Sequence, residues 1–408
     1  MIDRGLAAPS IPAHRAARAR LESLSHAAPA AMRDPGIAAL GTWSGGRFMR
    51  FGEPLDEQRL IELLRPDERL DTVLTADAYG AGDADRLLAR ALEGVDREAV
   101  CVIGAIGHDF YAGERNGAKG YPRFTSPALR GPQDYAGYLR MAAERSLERC
   151  GLDGFDVLLL HNPDRTGYTS EAVWAGMAAL REDGLTGAIG VAPGPANGFT
   201  LDVIACFERF GSLIDWAMLI LGPLEPWPGE LALGAADAAG VSVIARVVDY
   251  GGLFWGDLEA GHEFRREDHR AFRPAGWVEA GLERIAAMAP IADRHGLTPL
   301  QLACEWDLAH PAVRCVAPTL VQEAGAGARP VEEKRAELAA LPREQPLSAD
   351  EVAAIRAIGD NTGCMALKGA APDHVGEELP DRWELDERDL EVAARWRIDP
   401  QRDLRAHA

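Results

Sequence analysis

The chain has 408 residues, with 43 lysines and arginines against 63 aspartates and glutamates, for a net charge of −20. That balance argues against long-range attraction of nucleic acid or of an anionic membrane surface. The length suits a barrel with insertions and sets no limit on core size. No run approaches the roughly 18 consecutive apolar residues of a membrane-spanning helix, so the expected setting is cytoplasmic. The first 36 residues are rich in alanine, proline and arginine, lack the apolar core of a signal peptide and read as an extension. Six cysteines are scattered without ligand spacing, which predicts buried thiols. His262 and His269 lie seven residues apart among acidic neighbours, so no metal set is expected.

From residue 37 onward, short apolar runs alternate with longer amphipathic stretches, the pattern of a parallel sheet with crossover helices. The strand-length runs lie at 37–40, 72–74, 100–103, 157–160, 188–191, 216–219, 241–244 and 313–316. Helical spacing recurs at 81–92, 138–150, 169–181, 200–210 and 277–295. Eight strand candidates predict an α/β fold, a (β/α)8 TIM barrel, over residues 37–345. Residues 1–36 form the N-terminal extension, and residues 346–408 form a C-terminal helix and an extended tail over the barrel. The longest loop, 107–133, follows the third strand, and loops of that length usually carry function.

The motifs sit at strand ends. Leu74-Thr75-Ala76-Asp77-Ala78-Tyr79-Gly80 follows the second strand, and His161-Asn162-Pro163-Asp164 follows the apolar run of the fourth. Gly41-Thr42-Trp43 closes the first strand, Glu182-Asp183-Gly184 leads into the fifth, and Gly251-Gly252-Leu253-Phe254-Trp255-Gly256 follows the seventh. Residues 298–306 precede the eighth. In this order, over about residues 40–338, the stretches resemble the aldo-keto reductases. The resemblance implies hydride transfer between NADPH and a carbonyl. In that chemistry a tyrosine donates the proton, a lysine and an aspartate tune it, and a histidine orients the substrate.

Tyr79 and His161 match the tyrosine and histidine. Leu74 stands where the aspartate is expected, and Ala105 where the lysine is expected. A tyrosine titrates near ~10 in water, and burial without a cation raises that value. Tyr79 is therefore expected to be a slow acid at neutral pH, and His161 the better acid–base candidate. Only three lysines exist, Lys119, Lys334 and Lys368. Lys119, in the long loop, is either solvated or a reach into the site.

Trp43, His108, Asn162, Arg246, Asp249 and Tyr250 are the substrate-binding candidates. For the cofactor NADP, Gly251, Gly252 and Leu253 offer close backbone approach. Arg329, Lys334 and Arg335 either meet the 2′-phosphate or form a solvated helix face. Ala192-Pro193 replaces the Ser-Asn that the family sets beside the nicotinamide. Val247-Val248-Asp249 replaces its Ser-Pro-Leu turn, and an aspartate there repels phosphate unless compensated.

Three functions are compatible with this reading. The first is an NADP(H)-dependent oxidoreductase acting on a carbonyl or secondary alcohol of a sugar or natural product. The second is a non-redox epimerase, dehydratase or lyase using His161 and Tyr79. The third is a non-catalytic binding protein, like the potassium-channel subunits related to the reductases. The expected partner is a small molecule, and the chain is either a monomer or a homo-oligomer.

Overall fold

All eight apolar runs become strands. The computed structural model describes residues 33–116, 120–194, 200–325, 327–362 and 385–404. The strands are β1 (Ala39–Gly41), β2 (Thr72–Leu74), β3 (Cys101–Ile106), β4 (Phe155–His161), β5 (Thr186–Ala192), β6 (Trp216–Ile220), β7 (Ser242–Arg246) and β8 (Val313–Ala317). They pair in parallel in chain order. A parallel bridge between Ala38 and Val316 joins the two ends, so the sheet closes into a (β/α)8 barrel.

Most strand residues are buried whichever way they point, as expected of a parallel sheet covered on both faces. Alternation decides what each one touches. Cys101, Ile103 and Ala105 belong to a cluster filling the barrel, with Leu74, Val157, Leu159, Met218 and Ile244. Val102, Ile106, Leu158, Leu160, Val243 and Ala245 belong to the larger cluster between strands and helices. His161 and Arg246 end their strands in the inward phase, two residues beyond Leu159 and Ile244.

The outer layer contains α1 (Glu57–Leu64), α2 (Asp83–Ala91), α3 (Tyr135–Cys150), α4 (Arg165–Thr169), α5 (Glu171–Glu182), α6 (Thr200–Phe210), α7 (Glu230–Ala239), α8 (Trp277–His295), α9 (Pro299–Leu308), α10 (Val331–Ala339) and α11 (Ala349–Ile358). Near the C-terminus lie α12 (Glu387–Trp396) and the short α13 (Pro400–Asp403). The helical spacing at 169–181 is divided in two, because Ser170 adopts an extended conformation between α4 and α5. Capping fixes other starts: Thr298 and Ser348 each form a reciprocal capping box, with Gln301 and Glu351. Five cysteines, at 101, 150, 206, 304 and 315, are buried and free; Cys364 lies outside the described residues. Among the described residues no helix is long and apolar enough to cross a membrane.

The C-terminal segment is tied to the helical layer. Arg165 on α4 pairs with Asp389 on α12 at 2.5 Å, and Trp227 Nε1 donates to the Asp403 carbonyl at 2.5 Å. Asn361 accepts from Trp227 N–H at 2.9 Å and donates to its carbonyl at 3.0 Å. Residues 363–384 of the tail expected over the barrel lie outside the described residues, as does Lys119.

Packing inside the barrel allows little added volume. A Cβ at Gly190 on β5 would meet the Trp216 carbonyl oxygen at 2.1 Å and a Leu159 methyl at 2.6 Å. Gly190→Ala is expected to destabilise the fold by about 1–3 kcal/mol, because backbone on β6 must shift. A drop of several degrees in thermal midpoint checks this, and an unchanged midpoint contradicts it.

Candidate active site

The carboxyl ends of the strands form the mouth, where this architecture gathers reactive groups. Tyr79 sits there because the chain after β2 turns sharply. Gly80, Ala81 and Gly82 have φ of 59°, 51° and 94°, a left-handed stretch that swings the backbone from the strand into α2. Such angles suit glycine and cost a residue with a Cβ such as Ala81. The Tyr79 ring meets that of His161 edge-on, with centroids 5.6 Å apart at 88°.

Both rings form part of the wall of a small apolar pocket. Leu74 and Ala105 line it, together with Trp43, Ile103, Leu159 and Met218. The two positions that carry no aspartate and no lysine are thus walls of an apolar cavity.

His161 is buried, and its Nδ1 has no hydrogen-bond partner among the described residues. Burial pushes its pKa well down, and His108, Arg246 and Arg123 add to the effect, so it is neutral at physiological pH. His108 lies beside it, with ring centroids 5.0 Å apart. The Asn162 amide donates to His108 Nε2 at 3.1 Å, which leaves Nδ1–H to donate to the Tyr121 carbonyl at 3.1 Å. Burial, reinforced by Arg123, pushes the His108 pKa down to about 3.

The expectation that Tyr79 has no cation near it needs correction. Burial raises its pKa, but the Arg246 guanidinium opposes that rise. Arg246 extends from the end of β7 and donates through Nη2 to the carbonyls of Pro193 at 2.9 Å and Gly194 at 3.1 Å. Its Nε is buried with no partner among the described residues. The next residue, Val247, has φ of 66°, a strained value for a β-branched side chain. Asn162, directly after His161, is also left-handed, at 45°.

A profile of the aldo/keto reductase family matches residues 40–360 of this chain. The chain belongs to the aldo/keto reductase family. An aldo-keto reductase of Mycolicibacterium smegmatis is 27% identical over 248 residues, which cover 58% of this chain and 75% of the relative. A probable voltage-gated potassium channel subunit beta of Oryza sativa is 25% identical over 284 residues, covering 67% and 81%. Among solved structures, the glycerol dehydrogenase of Gluconobacter oxydans aligns with a TM-score of 0.61 at 21% identity, covering 80% of this chain and 94% of its own. An aldo/keto reductase of Klebsiella pneumoniae, in complex with NADP and acetate, aligns with a TM-score of 0.53 at 20% identity, covering 82% and 95%. Likeness at these identities is a likeness of fold.

In this aldo/keto reductase barrel, several residues expected at the ligand sites are engaged elsewhere. Asp249 is buried, and its carboxylate accepts from the Thr319 N–H at 2.8 Å and the Gly252 N–H at 2.7 Å, tying together the loops after β7 and β8. Tyr250 packs against Trp277 with Arg273 over its ring, in the layer between strands and helices. The Leu253 side chain is buried in that same layer. Gly251 and Gly252 are left-handed, with φ of 69° and 91°, and the Gly251 carbonyl accepts from the buried Arg270.

The three residues expected to supply positive charge for a 2′-phosphate all have carboxylate partners. Lys334 is fully buried in an ion pair with Asp257, which corrects the expectation that its ammonium is available. Arg335 pairs with Asp67 at 2.6 Å and donates to the carbonyls of Leu63 and Arg65. Arg329, the more exposed of the two arginines, pairs with Glu337 at 2.6 Å.

Two features at the mouth were not foreseen. Arg123, from the loop after β3, donates through Nε to the Asn162 carbonyl at 2.6 Å. Nothing in its local sequence separates it from other loop arginines. Asp77 lies on the helix side, with both carboxylate oxygens buried and unpartnered among the described residues. Burial, then the nearby Asp85, pushes its pKa well up, against a smaller pull from Arg149.

A carboxyl whose pKa is raised by folding contributes its stability in full below the unfolded value of about 4, and loses it as pH rises toward the folded value. Asp77→Asn removes that loss. The variant's thermal midpoint is expected to gain on the wild type between pH 5 and pH 8; a difference that stays constant with pH contradicts the assignment.

Proposed function

We propose that this chain is an NADP(H)-dependent oxidoreductase acting on a carbonyl or secondary alcohol of a small molecule such as a sugar or natural product. The observation that carries the reading is the edge-on pair of Tyr79 and His161 in the wall of the apolar pocket, within the field of Arg246. Membership of a family of nicotinamide-dependent oxidoreductases supports it. Tyr79 is the proton donor to the substrate oxygen. Arg246 takes over, from a different strand, the charge that the lysine position lacks. It favours phenolate, and so lowers the barrier to proton release against burial. Neutral His161 orients the substrate oxygen by a hydrogen bond. The Leu74 and Ala105 walls keep the surroundings of the reacting pair apolar.

The residues fit the dinucleotide only in part. The left-handed glycines permit close backbone approach. The Gly252 and Thr319 amides, however, are already accepted by Asp249, and Lys334 is buried in its ion pair. These two observations favour a second reading, a non-redox proton-transfer enzyme using Tyr79 and His161 without a nucleotide.

Titration with NADPH, followed by quenching of the nine tryptophans, separates the two readings. Saturable quenching is expected, and its absence at high cofactor overturns the oxidoreductase. With turnover in hand, Tyr79→Phe and His161→Ala are each expected to lower kcat by about a hundredfold or more. Unchanged rates would move the chemistry away from this pair.

A further inference from the structure

The ends of β4 and β5 run in register. His161 pairs with Ala192, and the Asn162 N–H donates to the Ala192 carbonyl at 2.7 Å. One residue further along each strand, an arginine from elsewhere holds the next carbonyl. Arg123 Nε binds Asn162 O, and Arg246 Nη2 binds Pro193 O. Neighbouring strands lie about 4.8 Å apart, so both guanidiniums border the same edge of the mouth, beside His161.

Neither charge is neutralised there. The described partners of both guanidiniums are backbone carbonyls, and neither arginine has a carboxylate within ion-pair distance among the described residues. Glu225, the carboxylate acting on Arg246, is held 3.5 Å from Arg273. Asp77 and Asp109 face Arg149 and Arg130 instead. The adjoining imidazoles are neutral. A chain of net charge −20 therefore concentrates positive potential at its mouth. The buried Nε–H of Arg246 is moreover a donor still lacking an acceptor, a cost removed when one arrives.

We propose that this edge is an anion subsite, and that the substrate is a carbonyl compound carrying a carboxylate close to the reacting carbon, a 2-oxo acid being the simplest case. The inference rests on the reading of Tyr79 and His161 as the reacting pair. The unpartnered Nε–H of Arg246 belongs to a planar fork of donors that suits a carboxylate. The carboxylate lies against Arg123 and Arg246, which leaves the carbonyl oxygen toward Tyr79 and His161 and the apolar remainder over Ala105.

The test is a binding measurement that needs no turnover. Phenylglyoxylate and its methyl ester differ in one charge, and calorimetry compares them on the full chain. Phenylglyoxylate is expected to bind about tenfold or more tightly, with the advantage shrinking as salt is raised. Arg246→Gln and Arg123→Gln should each bring the ratio of acid to ester affinity close to one, and Arg246→Lys should restore part of it. Equal affinity of acid and ester for the wild type overturns the proposal without recourse to any variant. Displacement of phenylglyoxylate by millimolar inorganic phosphate overturns the carboxylate assignment. The two readings fail separately. A preference for the acid without NADPH oxidation removes the oxidoreductase and keeps the subsite, whereas NADPH oxidation with acid and ester alike does the reverse.

Discussion

In a parallel barrel each strand residue faces either the axis or the helices, and the choice alternates along the chain. At the mouth that alternation sets Leu74, Ala105, His161 and Arg246 in the inward phase, on four different strands. The chemistry of the site follows from this set. Two positions are aliphatic and bound an apolar pocket; the other two bring a neutral imidazole and a guanidinium. Tyr79, delivered by a turn rather than by a strand, completes the group over the opening. Because the charge comes from β7 instead of β3, it reaches the tyrosine from across the barrel.

Low dielectric makes both sides of this arrangement consequential. Burial alone would lock Tyr79 in its protonated form and leave Arg246 costly to keep charged; each eases the other's burden. The same burial keeps His161 and His108 neutral, so neither imidazole adds a positive charge at the mouth. The left-handed conformation of Val247, directly after Arg246, shows backbone strain at that strand end, whereas Asn162, directly after His161, takes a similar conformation at the low cost usual for asparagine.

Elsewhere the barrel uses charge for its own cohesion. Asp249 joins the loops after β7 and β8 through two backbone amides, and Arg270 is enclosed between Asp268 and Glu323 beneath the glycine turn. Lys334 and Asp257 form a buried pair whose rupture would strand a charge away from water. These contacts brace the loops after β7 and β8. They also engage the Gly252 amide and the Lys334 ammonium, both of which the sequence offers for a nucleotide.

The amino-acid sequence by itself determined the eight strands, their order and the positions of Tyr79 and His161. These follow from local patterns: apolar runs of strand length, and short motifs fixed at strand ends. It also carried the signal for Arg246, two residues beyond inward-facing Ile244, although not the fact that its charge meets Tyr79. Tertiary structure alone decided which charges are available. Arg335 meets Asp67 across 268 positions, Lys334 meets Asp257, and Arg123 reaches Asn162 from a separate loop. Such pairings depend on how distant loops converge after the barrel closes. No local period encodes that convergence, so residues alike in sequence, such as Arg123 and Arg335, end with opposite roles, one bordering the mouth and the other bound to a carboxylate.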